Sequence, residues 1–344
     1  MPHRRTTFSK FIIEDQGRQA SHDPRLTALL NDVQTACKFI ASATARGKLD
    51  DDGKPVAEIA NEIMLRETES GGQLCGTLST SSSEHAVARS NPRGPYLLAF
   101  NALEGSSQLD IDLTAGTIFS VLRAADDARD VTAADFLQPG TAQVAAGFAL
   151  YGATSTIVMT LGDGVHGFTL DREIGAYTLT HPDMRIASET HQVAIDSSNQ
   201  RYWEPPVRHY VEECIAGAEG ARARDCSLRW AESLAAEAYR VLVRGGTFMF
   251  PIDTSDPGHN GTLNLLCEAN PIAMIVEQAG GAASTGRKRI LECEPQRLHE
   301  RVSGIFGDPD EIAKLVAYHE AFDRGEGFTF ETPLFNARSL FRAV

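Results

Sequence analysis

The sequence predicts an α/β (α+β) chain, and two observations carry the prediction. The first lies between Thr117 and Tyr177, where short apolar segments are separated by glycine-containing turns and read as an antiparallel sheet. The second is what flanks that run. Apolar residues recur with helical spacing before it, and strands alternate with helices after it. The chain has 344 residues, 42% of them hydrophobic, which supports one large or two smaller domains with substantial cores. The polar connection His181–Gln192 divides it into residues 1–190 and 191–344.

Residues 1–23 read as a polar arm with an apolar knot at Phe11–Ile13. Leu26–Ala45 is a helix, Arg46–Pro55 a polar loop, and Val56–Glu67 a second helix with Ile59, Ile63 and Leu65 on its apolar side. Gly71–Gly94, with its serine run Ser79–Ser83, reads as weakly structured. Tyr96–Phe100 is a buried strand that breaks at Asn101 into a polar turn, Asn101–Ser107, and a second alternating run follows at Leu109–Leu113. In the sheet region His166 reads as a structural residue. The second half gives a strand at Gln192–Ile195, a helix at Pro206–Ala216, an amphipathic helix at Leu228–Arg244 and a buried strand at Gly245–Pro251. A helix over Asn270–Gly280 has proline in its first turn, a favourable place for it, and Pro309–Phe322 forms a last helix.

The formal charge of −14 argues against nucleic acid or an anionic membrane surface as partner. No apolar run approaches the ~18–20 residues of a membrane span, and the basic N-terminus lacks the apolar region of a signal peptide. Six cysteines without CxxC pairing read as reduced thiols of a cytoplasmic protein.

The chemistry concentrates at the end of the Tyr96–Phe100 strand. A strand end holds a carboxylate still, Gly105 lets the backbone come close, and exposed N–H groups can cradle a phosphate. The stretch Asn101-Ala102-Leu103-Glu104-Gly105-Ser106-Ser107-Gln108-Leu109-Asp110 resembles the signature of class I fructose-1,6-bisphosphatases, D-P-[LIM]-D-G-S-[SN]-N-[IL]-D. NEIMLRE, FLQPGTAQVAAG, YWEPPV, LRWAESLAAEAYR and EANPIAMIVEQAGG follow the same family in order, from about Phe8 to the end. The tail FETPLFNARSLFRAV resembles an extension of some Calvin-cycle-type members, with aromatics that dock on the body or a neighbouring subunit. The resemblance implies a layered α-β-α-β-α sugar-phosphatase fold, with a mixed, mostly antiparallel N-terminal sheet and a C-terminal α/β half. It also implies a homo-oligomer, tetramer or dimer, acting on a small-molecule substrate.

In the family, several carboxylates bind Mg²⁺ ions. Carried over residue by residue, the acid of the NE motif is present as Glu62 and that of the EANP motif as Glu268. The two signature aspartates are Asn101 and Glu104, and the glutamate of an S-E-E motif falls on Thr80 or Ser81. Among the sugar-phosphate groups, an asparagine is Asp196, with Ser198 beside it. The arginine–aromatic pair is Arg229-Trp230, a tyrosine is Phe250, and K-L-R is Thr262-Leu263-Asn264. Glu62, Glu104, Glu268 and Asp196 are therefore expected to meet in one cleft with Asn101, Ser106, Ser107, Gln108, Ser198, Arg229, Trp230, Phe250 and Asn264.

These departures lead to the expectation of a repurposed, metal-independent acid/base enzyme (isomerase, lyase, cyclase or hydrolase) acting on a less phosphorylated substrate. No cofactor is expected. Glu62, Glu104 and Glu268 are the residual metal candidates, and Mg²⁺ enters only if the family activity persists. The alternatives are a non-catalytic ligand-binding or regulatory protein and an active fructose-1,6-bisphosphate 1-phosphatase.

Overall fold

A computed structural model describes residues 6–16, 23–47, 53–88, 93–125, 129–188, 191–255 and 260–328. The tail from residue 329, part of the loop at 46–55 and part of the turn at 258–261 lie outside the described residues, as do two residues of the 181–192 connection.

Three helices open the chain: α1 (Phe8–Gln16), α2 (Pro24–Thr44) and α3 (Val56–Glu69). Asp23 caps α2 by accepting from Arg25 N, and proline stands in its first turn. An eight-stranded sheet follows. Its strands are β1 (Leu74–Ser79), β2 (Ala86–Val87), β3 (Tyr96–Glu104), β4 (Ala115–Arg123), β5 (Ala145–Tyr151), β6 (Ser155–Thr160), β7 (His166–Asp171) and β8 (Ala176–His181), with short helix α4 (Ala133–Phe136) between β4 and β5. The spatial order is β2-β1-β3-β4-β5-β6-β7-β8, and only β1 and β3 run parallel.

The second half adds β9 (Gln192–Ala194), α5 (Pro205–Ala216), β10 (Ser227–Arg229), α6 (Leu234–Arg244), β11 (Thr247–Phe250), β12 (Leu263–Asn264), α7 (Asn270–Gln278), β13 (Ala282–Ser284), β14 (Arg301–Val302), β15 (Gly304–Gly307) and α8 (Pro309–Asp323). Its main sheet has the order β10-β9-β11-β15-β13, and β12 pairs with β14.

The cores give the layer order. Leu29, Leu30, Val33 and Met64 from α2 and α3 pack on Phe100, Phe119 and Tyr151 of the first sheet. The opposite face of that sheet, through Ile118, Phe148 and Val158, meets Ala238, Val241, Ile272 and Ile275 of α6 and α7, which also cover Phe248 and Phe306 of the second sheet. Val193, Met249 and Ile305 on its far side pack on Val207, Tyr210, Val211 and Leu315 of α5 and α8. Helices and sheets thus alternate in five layers. Helices α6 and α7 lie between the sheets, so their N-terminal ends can meet the strand ends of both.

Several elements depart from the sequence expectation. Residues 8–16 form a helix rather than an arm, because Phe8 and Ile12 bury against the first sheet. Within 71–94, β1 is buried along its whole length by pairing with β3, which periodicity alone does not reveal. Strand β3 runs on to Glu104. Asn101 still pairs with Ile118 and Glu104 with Gly116, across a bulge. The run Leu109–Leu113 is no strand. Gly105, at φ +68°, starts a 3₁₀ turn over Ser106–Ile111 and leaves Ile111 67% exposed. Leu228–Arg244 is not one helix, because Ser227–Arg229 adds to the sheet edge beside β9 and the helix starts after Ser233.

Candidate active site

The end of β3, the first turn of α6 and the turn before α7 meet at one place. Asn264 Oδ1 accepts from Leu266 N and Cys267 N and so caps a single turn of π-helix, Leu265–Ala269, that carries Glu268 into α7. Such turns recur at functional sites. Glu268 Oε2 accepts from Asn264 N at 2.7 Å, and Oε1 accepts from Asn101 Nδ2 at 2.7 Å. Asn101 Oδ1 accepts from Leu103 N at 3.3 Å.

Glu104 faces the N-terminus of α6. Its carboxylate accepts from Ser233 Oγ at 2.7 Å, Leu234 N at 2.9 Å and Ala235 N at 3.4 Å. Burial pushes its pKa up to about 7. The Ser233 and Leu234 hydrogen bonds hold it back, and the Glu268 charge adds to the rise. Burial raises Glu268 too, against the Asn264 and Asn101 hydrogen bonds and the Arg301 charge. Gly105 allows the close approach here, since a Cβ on it would stand 3.3 Å from Ser233 Cβ. Ser106 and Ser107 head the following turn, and Gln108 Nε2 donates to Glu232 Oε2 at 2.6 Å.

The other expected residues are less tightly gathered. Trp230 and Phe250 pack ring to ring, with centroids 5.1 Å apart, beside exposed Arg229 on the β10 edge. Asp196 caps its own turn by accepting from Ser198 N at 3.0 Å and Ser198 Oγ at 2.6 Å, so both residues are engaged locally. Glu62 departs from expectation. Its side chain is 64% exposed and ion-pairs with Lys54 at 2.6 Å, and its helix neighbour Asn61 is the residue that meets the end of β1, where Ser79 Oγ donates to Asn61 Oδ1. The structure joins Asn101 and Glu268 directly and couples Glu104 to Glu268 through space. It makes no bond from Glu62 or Asp196 to that group among the described residues.

Three further residues belong to the place and were missed. Glu232 and Ser233 hold the signature strand and turn, and Arg301, opposite Asn264 on β14, donates to Thr262 O at 3.4 Å and bears on Glu268. The one signal was a serine ahead of the periodic run Leu234, Ala235, Ala238, Val241, Leu242.

The resemblance implies magnesium, and the donors in this arrangement do not fit it. A hard cation needs several free anionic oxygens at one point. Glu104 and Glu268 have both oxygens turned to protein donors, and Asn101 offers a neutral amide. Among the described residues, no group of three or more His, Cys, Asp or Glu side chains converges to hold a metal. No helix among them is long and apolar enough to cross a membrane.

Comparison with known proteins gives a consistent picture. Residues 6–182 match the family described as Fructose-1-6-bisphosphatase, N-terminal domain, and residues 186–320 match its C-terminal domain. The chain is 49% identical to "Fructose-1,6-bisphosphatase class 1" of Methylacidiphilum infernorum over 99% of both chains. It is 44% identical to the protein of that name from Hydrogenophilus thermoluteolus, over 98% of this chain and 97% of the other. The crystal structure of Leishmania major fructose-1,6-bisphosphatase in holo form superposes with a TM-score of 0.83 at 32% identity, covering 92% of this chain and 99% of that one.

This likeness overturns two expectations. The repurposed, metal-independent reading rested on individual side chains, and near-half identity over the full length with proteins named as class 1 fructose-1,6-bisphosphatases contradicts it. The expectation of no cofactor falls with it, since the chain matches the family whose resemblance implies magnesium. The chain belongs to the fructose-1,6-bisphosphatase family.

Proposed function

We propose that this protein hydrolyses the 1-phosphate of fructose 1,6-bisphosphate in carbohydrate metabolism. One observation carries the reading: 49% identity over 99% of both chains to a protein named Fructose-1,6-bisphosphatase class 1. The cleft supplies groups for it. The Gly105–Ser107 turn offers hydroxyls and a close backbone approach to the scissile phosphate. Buried Glu268, whose carboxylate accepts from Asn264 N and Asn101 Nδ2, fixes the end of the signature strand from which that turn leaves. Trp230 and Phe250, packed ring to ring, offer an apolar wall for the sugar ring, and exposed Arg229 is the cation that the family match offers to the distal phosphate in a neighbouring subunit.

Arg229 matches the arginine that the family shares across a subunit boundary, so the reading includes a homo-oligomer, dimer or tetramer. A division at 190/191 and a cytoplasmic location, in line with six free cysteines, belong to it as well.

The test is phosphate release from fructose 1,6-bisphosphate by the full chain, titrated with Mg²⁺ and Mn²⁺. Turnover on the order of 10 s⁻¹, a typical enzyme value, is expected. Release no faster than the protein-free control at every metal concentration overturns the reading.

A further inference from the structure

Three residues of β3 and the turn after it each reach into the second half of the chain: Asn101 to Glu268, Glu104 to the start of α6, and Gln108 to Glu232. The contact at Glu104 is a helix cap. The first N–H groups of a helix have no partner within it, and the helix dipole favours an anion there. Ser233 already caps α6 locally by accepting from Ala236 N. Glu104 supplies a second cap from a strand 130 residues away and takes Leu234 N and Ala235 N.

Glu232 adds an independent observation. It holds φ +53°, a left-handed conformation disfavoured for a residue with a Cβ. The next residue is the cap, and the two before Ala231 are Arg229 and Trp230. The strained residue thus stands between Arg229 and Trp230, to which the proposed function gives the sugar-phosphate contacts, and the helix that follows. Its carboxylate is the acceptor for Gln108.

We propose that Glu104 and Glu232 are positioning residues. Together they fasten the 230–233 turn and the first turn of α6 to the end of β3, and so fix where Arg229 and Trp230 stand. The kinetic part of the test rests on the proposed function, whereas the exchange part does not.

The experiment uses the full chain as wild type, Glu104→Ala, Glu232→Gly and Glu232→Gln. Glycine accepts the left-handed backbone, so Glu232→Gly removes the latch without adding strain. Hydrogen–deuterium exchange is read at residues 234–236. Protection there is expected to fall about tenfold or more in Glu104→Ala and Glu232→Gly, the factor for one lost hydrogen bond to a charged group. With fructose 1,6-bisphosphate, Glu232→Gly is expected to raise KM about tenfold, more than it lowers kcat, and Glu232→Gln, which keeps an acceptor oxygen for Gln108, to restore it. Unchanged protection in both variants overturns the proposal, whether or not the wild type turns over substrate. So does a Glu232→Gly protein with wild-type KM. A wild type without turnover sinks the functional reading alone, and the exchange data then decide this proposal.

Discussion

Asn101 and Glu268 are 167 residues apart in the chain and meet through a 2.7 Å hydrogen bond from Nδ2 to Oε1. The amide satisfies an oxygen that burial would otherwise penalise, and it lets a buried acid sit against the strand end without a second charge. The family signature has an aspartate at this position. Asn101→Asp would set two carboxylates face to face and remove the donor. In the presence of a chelator at pH 8 it is expected to destabilise the protein by about 2–3 kcal/mol. Added Mg²⁺ or Mn²⁺ should recover that loss, because the paired acids can then share a cation. Thermal melts with and without metal check this, and a variant as stable as wild type in chelator, with a melt that metal does not shift, argues against it.

The second prediction concerns pH. Glu104 has a folded pKa of about 7 against an ordinary carboxylate value of 4.5, raised first by burial. Between those values the folded state binds more protons than the unfolded state, so this group's contribution is fully present below about pH 4.5 and is lost as pH rises through about 7. A rise from 4.5 to about 7 corresponds to roughly 3–4 kcal/mol. Glu104→Gln cannot ionise, so its stability should fall less than wild type's between pH 5 and pH 8. Urea titrations across that range measure the difference, and parallel curves for the two proteins would contradict the assignment.

The cleft shows what local pattern can and cannot reveal. Strands β4 to β8 were legible as short apolar runs between glycine-containing turns, and helices α2 and α3 because their apolar residues recur at the helical period. The break at Glu232–Ser233 was not, since Leu228 and Leu234 fit one helical pattern while edge pairing with β9 pulls the first of them into a strand. The chemistry followed the same division. Motif order placed Glu104 and Glu268 in one cleft, but their hydrogen-bond partners Ser233, Leu234 and Asn101 are tertiary neighbours that no spacing announces. Glu62 was placed by its motif alone, whereas the rotation of about 100° between neighbouring helix residues points Asn61 at Ser79 and Glu62 at Lys54.

A third prediction lies far from the cleft. Glu311 accepts from Tyr210 Oη at 2.6 Å, from Arg222 at 2.8 and 3.1 Å and from Arg224 at 2.6 Å, and the Arg222 side chain is only 3% exposed. Burial alone would raise the Glu311 pKa, yet the Arg222 and Tyr210 hydrogen bonds and the Arg222 and Arg224 charges together outweigh it and hold the carboxyl below its ordinary range. Glu311→Ala leaves a buried guanidinium with Glu213 at 3.6 Å as its remaining acid partner. It should destabilise by about 3–5 kcal/mol, as breaking a buried pair does, with kcat and KM unchanged. Urea unfolding reads this directly, and a loss under about 1 kcal/mol would mean the network is worth no more than a surface pair.

The last prediction tests the distal end of the cleft. Asp196 Oδ1 accepts from Ser198 N and Ser198 Oγ, and Oδ2 accepts from Asn199 Nδ2 at 3.0 Å. Asparagine keeps the Oδ1 role, since Asn and Asp cap equally well, so Asp196→Asn should change stability by no more than about 1 kcal/mol. What it removes is a negative charge on the side where the resemblance places the sugar's second phosphate. Near water, one charge at close range is worth about 1 kcal/mol, or roughly fivefold in KM. The variant should therefore bind fructose 1,6-bisphosphate more tightly at low ionic strength. The gap between the two proteins should close as salt screens the repulsion. Equal KM values at low salt would place the distal phosphate away from Asp196.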